Sequence, residues 1–379
     1  MENVWSWGTF ALYIGIMLYF YYTTKRLCKS VASSGSGNSQ IERPETFIRK
    51  KSIILYSFIP VIIAAFRRIE SSGLGGSDMY YYIQRFQSST SFSFRDLRFF
   101  LSRDNPLFYY LMYVIRFFTD NEKIFFFIVY FIIVLAQYYF FREVYDSKES
   151  FAPFFFLMYY FLRSFSIMKF MLGVSILGIA FVKCSKGKKI SAIIISLIAS
   201  LIHSSLIFGT FMLVVYVLFE KMAEHRKWLV AMVILFYLFL FFFRQYLYIF
   251  FSNTEFNTYV NFETSLMSHF TTILCGCLTL ICYKNLTRIG VNQFLLFAVI
   301  FDLACIPIQN AIGFFRLHYI FFLPRLYMWG KLIDVFKMKI RPRQVEFLSS
   351  VAFIAWTIFR FMQEYEGATL MPYVFDLFK

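Results

Sequence analysis

Two adjacent arginines, three glycines and an aspartate stand together where an apolar run ends, in Phe66-Arg67-Arg68-Ile69-Glu70-Ser71-Ser72-Gly73-Leu74-Gly75-Gly76-Ser77-Asp78-Met79-Tyr80-Tyr81-Tyr82. A guanidinium fork fits phosphate oxygens, and glycine lets backbone N–H groups come close to a ligand. Charge at the mouth of a membrane-spanning segment is costly and is usually retained for a task. The loop therefore suits an anionic, membrane-embedded substrate, with Asp78 as a carboxylate able to accept a proton. The alternative is that Arg67 and Arg68 snorkel and Asp78 closes a turn. The loop's residues alone leave both readings open.

Two further patches could do chemistry. His203 lies in Ser200-Leu201-Ile202-His203-Ser204-Ser205, near the middle of the apolar run Ile190–Phe219. An intramembrane ionisable group is a functional hypothesis by default, against a structural histidine bonded to its serine neighbours. Arg316 stands between two apolar runs, close to His318 and Tyr319. Snorkelling is again the alternative.

The elements that must hold these residues are membrane helices. Of 379 residues, 59% are hydrophobic and only 16% charged, whereas a soluble domain carries about 25% charged residues. The net charge of +16 reads as topology signals and attraction to anionic headgroups, because the basic residues fall between apolar runs; no nucleic acid is expected. A span needs about 20 apolar residues. The first, Val4–Tyr22, lacks the basic start and small-residue cleavage site of a signal peptide. The Ser/Gly-rich loop Val31–Gln40 and Arg49-Lys50-Lys51 read as cytoplasmic, and the second span, Ser52–Phe66, delivers the Arg/Gly loop to the outer face.

Residues 67–123 form a long outer segment carrying Arg85, Arg95, Arg98, Arg103 and Arg116, on the unexpected side of the positive-inside rule. Within it, Pro106–Phe118 is too short to cross unaided and reads as an interfacial or re-entrant helix. Ile124–Phe141 returns inward. Ala152–Phe165 and Lys169–Val182 make a close pair joined at the outer face by Arg163-Ser164-Phe165-Ser166, and Lys183, Lys186, Lys188 and Lys189 mark the inside. Lys221, Arg226 and Lys227 stay inside if Ile190–Phe219 is two short helices meeting near His203, and broken helices at membrane depth usually line a polar cavity. Trp228–Phe251, Phe270–Tyr283, Gln293–Phe315, Leu317–Ile333 and Phe347–Met362 follow, with a polar outer loop over Ser252–Ser268. The expectation is an all-α, polytopic integral membrane protein of about twelve spans, a single membrane domain over 1–379 with both termini outside.

Some chemistry is not indicated. No D-x-D or E-x-D pair occurs in an outer loop, so no carboxylate-held metal is expected. No P-loop occurs. Cys275, Cys277 and Cys282 share one apolar run without a matching histidine or carboxylate pattern, and read as small residues at helix contacts.

Three patches, in order, resemble the EpsG-type family of Wzy-like bacterial polysaccharide polymerases. Arg67/Arg68 … Gly75-Gly76-Ser77-Asp78 … Tyr82 is similar to its Arg … Gly-Thr-Asp … Tyr loop. Ala199-Ser200-Leu201-Ile202-His203-Ser204-Ser205 is similar to its Ala-x-x-x-His-x-Ser-Ala run, and Arg316-Leu317-His318-Tyr319 to its Arg-x-x-Tyr. Where the family commonly has Asn-x-x-Arg-Gln, this chain has Ser166-Ile167-Met168-Lys169-Phe170, which keeps the charge but loses the fork.

The resemblance implies a GT-C-like glycosyltransferase in the bacterial plasma (inner) membrane, acting on its outer face without metal or cofactor. It would join repeat units carried on undecaprenyl diphosphate into an O-antigen, capsule or exopolysaccharide. A glycan ligase on the same donor and a flippase for the lipid-linked saccharide are the alternatives. Partners would be the lipid-linked oligosaccharide, membrane lipid and a chain-length regulator in the membrane. Asp78, His203 and Arg316 become the catalytic candidates. Arg67, Arg68, Gly75, Gly76, Tyr82, Arg85, Arg163, Lys169 and Tyr319 become those for substrate binding.

The charge pattern predicts a topology that labelling can check. In a variant without native thiols, Thr90→Cys should react with an impermeant reagent on intact cells and Gly187→Cys should not. Labelling at 187 but not at 90 overturns it.

Overall fold

Backbone inside a bilayer has no water to bond with, so long runs of Phe, Ile, Leu and Val must close their hydrogen bonds within themselves. The computed structural model describes residues 7–32, 44–88, 105–146, 149–252, 266–307, 316–368 and 374, and among these every regular element is helical. In chain order they are α1 (Trp7–Ala32), α2 (Pro44–Ala65), α3 (Met79–Ser88), α4 (Pro106–Phe118), α5 (Glu122–Val144), α6 (Leu157–Arg163), α7 (Met168–Ser185) and α8 (Lys189–Ile202). There follow α9 (Ile207–Ala223), α10 (Arg226–Ser252), α11 (Leu266–Ile281), α12 (Tyr283–Arg288), α13 (Gln293–Ala304), α14 (Leu317–Ile320), α15 (Phe322–Lys337) and α16 (Pro342–Ala368).

Among the described residues, four helical stretches are long and apolar enough to cross a membrane: Glu122–Val144, Met168–Ser185, Ser204–Ala223 and Pro342–Met362. Shorter apolar helices are Ser52–Ala65, Pro106–Phe118, Lys189–Ile202, His269–Ile281 and Gln293–Ala304. The Val31–Gln40 loop from residue 33, the outer segment over 89–104, most of the Ser252–Ser268 loop and residues 308–315 lie outside the described residues.

The described residues fall into two compact units. One lies within Met1–Ile179, Leu197–Ser204 and Glu346–Lys379, the other within Ala180–Ser196 and Ser205–Val345. In the first, α1, α2, α3 and α4 all pack on α5, whose Phe125, Phe126, Val129, Tyr130 and Ile133 are wholly buried. The outer side of α2 leaves Ile54, Leu55, Phe58, Ile59 and Ile62 exposed, an apolar stripe suited to lipid.

In the second unit the centre is α13. Every residue from Phe294 to Ala304 is buried, and α9, α10, α11 and α15 pack around it. A helix apolar on all sides belongs inside a bundle. Its crossing with α11 depends on Gly276, where an added Cβ would lie 2.8 Å from the Leu303 Cβ; small residues let membrane helices approach closely.

Two features of the sequence reading meet the structure directly. Pro106–Phe118 is a helix with the expected ends. The long apolar run breaks at His203, which is non-helical between α8 and a 3₁₀ turn, Ser204–Leu206, that leads into α9. Three expected spans differ. Ala152–Phe165 opens as a 3₁₀ helix, Ala152–Phe156, before α6. Leu317–Ile333 divides into α14 and α15 at Phe321, because Pro324 sits in the first turn of a new helix, where its missing N–H is not needed. The run beginning at Gln293 leaves the α-helix after Ala304.

The α11–α13 crossing makes a prediction. Gly276→Val should lower the stability of the detergent-purified protein by about 1–3 kcal/mol, as overpacking does. Gly15→Val, at a position with no other atom within 4 Å of an added Cβ, should melt close to the wild type.

Candidate active site

Arg67 follows α2 and is only 1% exposed. Its Nε donates to the Gly75 carbonyl at 2.6 Å and Nη1 donates to the Ala64 carbonyl. Nη2 donates to the Tyr130 hydroxyl at 3.0 Å and the Phe165 carbonyl at 3.3 Å. The guanidinium carbon lies 4.2 Å from the centre of the Phe165 ring, and a cation over a desolvated aromatic face is attracted to it. The Tyr130 hydroxyl in turn donates to the Ser164 carbonyl at 3.0 Å. The fork expected to meet phosphate is thus filled by protein acceptors, which makes Arg67 a positioning residue.

The glycines serve the same closure. Gly75 and Gly76 have φ of 83° and 125°, where an L side chain is strained. A Cβ on Gly76 would stand 1.8 Å from the Phe165 carbonyl oxygen, and one on Gly75 would stand 2.2 Å from that of Arg68. Their close backbone approach is to the 163–167 turn and to the loop itself. The Arg163 carbonyl accepts from Ser166 and Ile167 N–H at 3.1 Å each, so the half-buried Arg163 ends α6 where that turn begins.

The side chains beyond this closure reach outward. Arg68 is exposed and pairs with Glu70 at 2.7 Å. Asp78 is half-buried, and its carbonyl accepts the Tyr82 N–H at 3.3 Å as α3 begins. Arg85, exposed on α3, donates to the Tyr81 hydroxyl at 2.9 Å. Tyr82 is buried, its ring 5.4 Å from that of Phe108 on α4.

From α4 the contacts continue to the other candidates. The Lys169 ammonium at the start of α7 lies 5.6 Å from the Tyr109 ring centre and 6.0 Å from that of Phe108. Its neighbour Phe170 meets the His203 ring edge-on at 5.1 Å. The Asn105 side-chain carbonyl, just before α4, accepts the Ser204 N–H at 2.8 Å, which ties the broken helix to that end of α4. Asn105 and α4 therefore touch α3 through Tyr82, the start of α7 through Lys169 and the helix break through Ser204.

In the second unit, half-buried Arg316 precedes α14 and Tyr319 is buried within it. Sequence reasoning missed what lies beneath. Asp302 on α13 and Arg325 on α15 are 0% and 2% exposed and pair at 3.3 Å. Arg325 also donates to the Thr272 hydroxyl on α11 and to the His318 carbonyl on α14. The His318 ring packs 3.8 Å from that of Tyr319 and 6.3 Å from that of His269. The available signal was a lone Asp302 in one apolar run and Arg325 in the middle of the next, a pattern that favours pairing across helices.

The closure around Arg67 is open to test. Arg67→Lys keeps the charge but abandons several buried acceptors, each costing about 1–3 kcal/mol when left unpaired. The variant should melt earlier and be cut faster within residues 70–78, whereas Arg68→Lys should resemble the wild type. Equal protease resistance in both would remove Arg67 from this role.

A family model for EpsG proteins matches residues 50–375. No curated protein and no solved structure matches the chain. The matched span contains the Arg67-closed loop, the helix break at His203 and the Arg316–Tyr319 segment, and the chain belongs to the EpsG family of Wzy-like polysaccharide polymerase proteins.

Proposed function

We propose that this protein is a metal-independent, GT-C-like glycosyltransferase that polymerises oligosaccharide repeat units linked to undecaprenyl diphosphate, on the outer face of the bacterial plasma membrane. Family membership supports the polymerase class. The observation that carries the reading further is that Asn105 and α4 touch α3, which follows the Asp78 loop, as well as Lys169 and the break that holds His203.

In this reading the acceptor sugar hydroxyl attacks the anomeric carbon of the donor glycan. A new glycosidic C–O bond forms, and the bond from that carbon to the diphosphate oxygen breaks. The hydroxyl proton passes to a base and the electron pair leaves with the diphosphate. Asp78, on a Gly-rich loop within reach of a hydrated sugar, is the base, and His203 orients the acceptor. Arg68, Arg85 and Lys169 draw the anionic lipid headgroup, and Arg316 stabilises the charge on the leaving diphosphate. Arg67 and the glycines act through the loop they close.

Purified variants assayed with a lipid-linked repeat unit test these roles. Asp78→Asn should lose about 10²-fold or more in turnover with substrate binding retained, the range expected for a general base. His203→Gln should lose only part. The reverse order gives the base role to His203, and near-normal activity in both removes the pair. Arg316→Ala should cost about 10²-fold, while full-length polymer from well-expressed Arg316→Ala removes it from the site.

A further inference from the structure

We infer that Asp302, Arg325 and Thr272 form a positioning device that fixes the backbone of α14 and thereby aims Arg316 and Tyr319. The inference rests on the proposed role of Arg316 at the diphosphate. Arg325 is a hub among four helices. Its guanidinium takes the Asp302 carboxylate on α13, the Thr272 hydroxyl on α11 and the His318 carbonyl on α14, while its own backbone belongs to α15.

The carbonyl it holds matters because α14 is a single turn, Leu317–Ile320, cut off from α15 at Phe321. A helix this short contributes little stability of its own and takes its place from what surrounds it. The α-helix stops at Ile320, so the carbonyls of its last turn are open to donors from other elements. Arg325 supplies a charged donor to one of them, and a charged donor makes a stronger bond than a neutral one. His318, whose carbonyl is held, is flanked by Leu317 and Tyr319, so Arg316 and Tyr319 inherit their placement from it.

A buried carboxylate on an enclosed helix is a costly way to fasten a bundle, since apolar side chains of similar volume are often as good or better for stability alone. What an ion pair adds is direction. Asp302 pins one edge of the guanidinium and Thr272 another, and the remaining N–H groups can point only where α14 passes. Asp302 and Arg325 touch no substrate in this account.

The test removes both charges together as Asp302→Leu/Arg325→Met, which leaves no stranded ion, and measures turnover and KM for a lipid-linked repeat unit, alone and with Arg316→Ala. The expected result is a protein that accumulates and melts like the wild type, with turnover down about tenfold and KM changed little. In the Arg316→Ala background the same pair of changes should cost nothing further, because residues acting through one group are not additive. Turnover within twofold of wild type, or losses that multiply with Arg316→Ala, overturns the inference. An active Arg316→Ala protein instead overturns the underlying reading of the site. If the double variant does not accumulate, Thr272→Val carries the comparison. It should lower turnover at normal abundance and be silent in the Arg316→Ala background, and wild-type turnover in Thr272→Val rejects the device.

Discussion

A guanidinium with almost no exposure holds the first unit's Gly-rich loop in place. Arg67 gives its donors to Gly75, Ala64, Tyr130 and Phe165, and its flat face lies against the Phe165 ring. Backbone carbonyls and an aromatic face can satisfy a cation that water cannot reach. Everything displayed by the loop follows from this closure. Gly75 and Gly76 must be glycine because the loop backbone is drawn against other backbone, and α3 starts where the loop ends. The Lys123 ammonium adds to the same knot, donating to the Arg67 carbonyl at 3.1 Å.

The second unit uses a buried arginine in a related way. Arg325 also donates to backbone, at His318, and sits just behind a segment that carries a less buried arginine. In each unit one arginine is enclosed and bonded to main chain, and a nearby arginine is more exposed. On the proposed function, the enclosed arginine would supply geometry and the more exposed one electrostatics, a division that suits a preorganised site. The two hubs differ in how the charge is satisfied: Arg325 faces the carboxylate of Asp302, whereas the side-chain and backbone acceptors around Arg67 are neutral.

The sequence made some of this legible. Apolar runs mark helices whatever their neighbours, so Pro106–Phe118 could be delimited from composition alone. The break at His203 followed from a run too long for one crossing with basic residues at both ends. Arg67 and Arg68 could not be told apart, because adjacent residues of one type differ only in the direction their side chains take. One is buried and the other exposed. The Asp302–Arg325 pair was hidden because its members lie in different apolar runs, and only the packing of α13 against α15 brings them together. The split at Phe321 was readable in Pro324, but an apolar run that continues through a proline looks like one span.

On the proposed function, this helical frame holds charged loops for glycan transfer between lipid-linked saccharides. The most direct test of this uses purified wild-type protein in sealed proteoliposomes, supplied with a polyprenyl-diphosphate-linked repeat unit. Glycan length and free polyprenyl diphosphate are measured together. The account predicts a ladder of multiples of the repeat, with one free diphosphate carrier released for each bond formed. Repeat units that cross the bilayer without lengthening, or that are passed singly to another lipid, would contradict it.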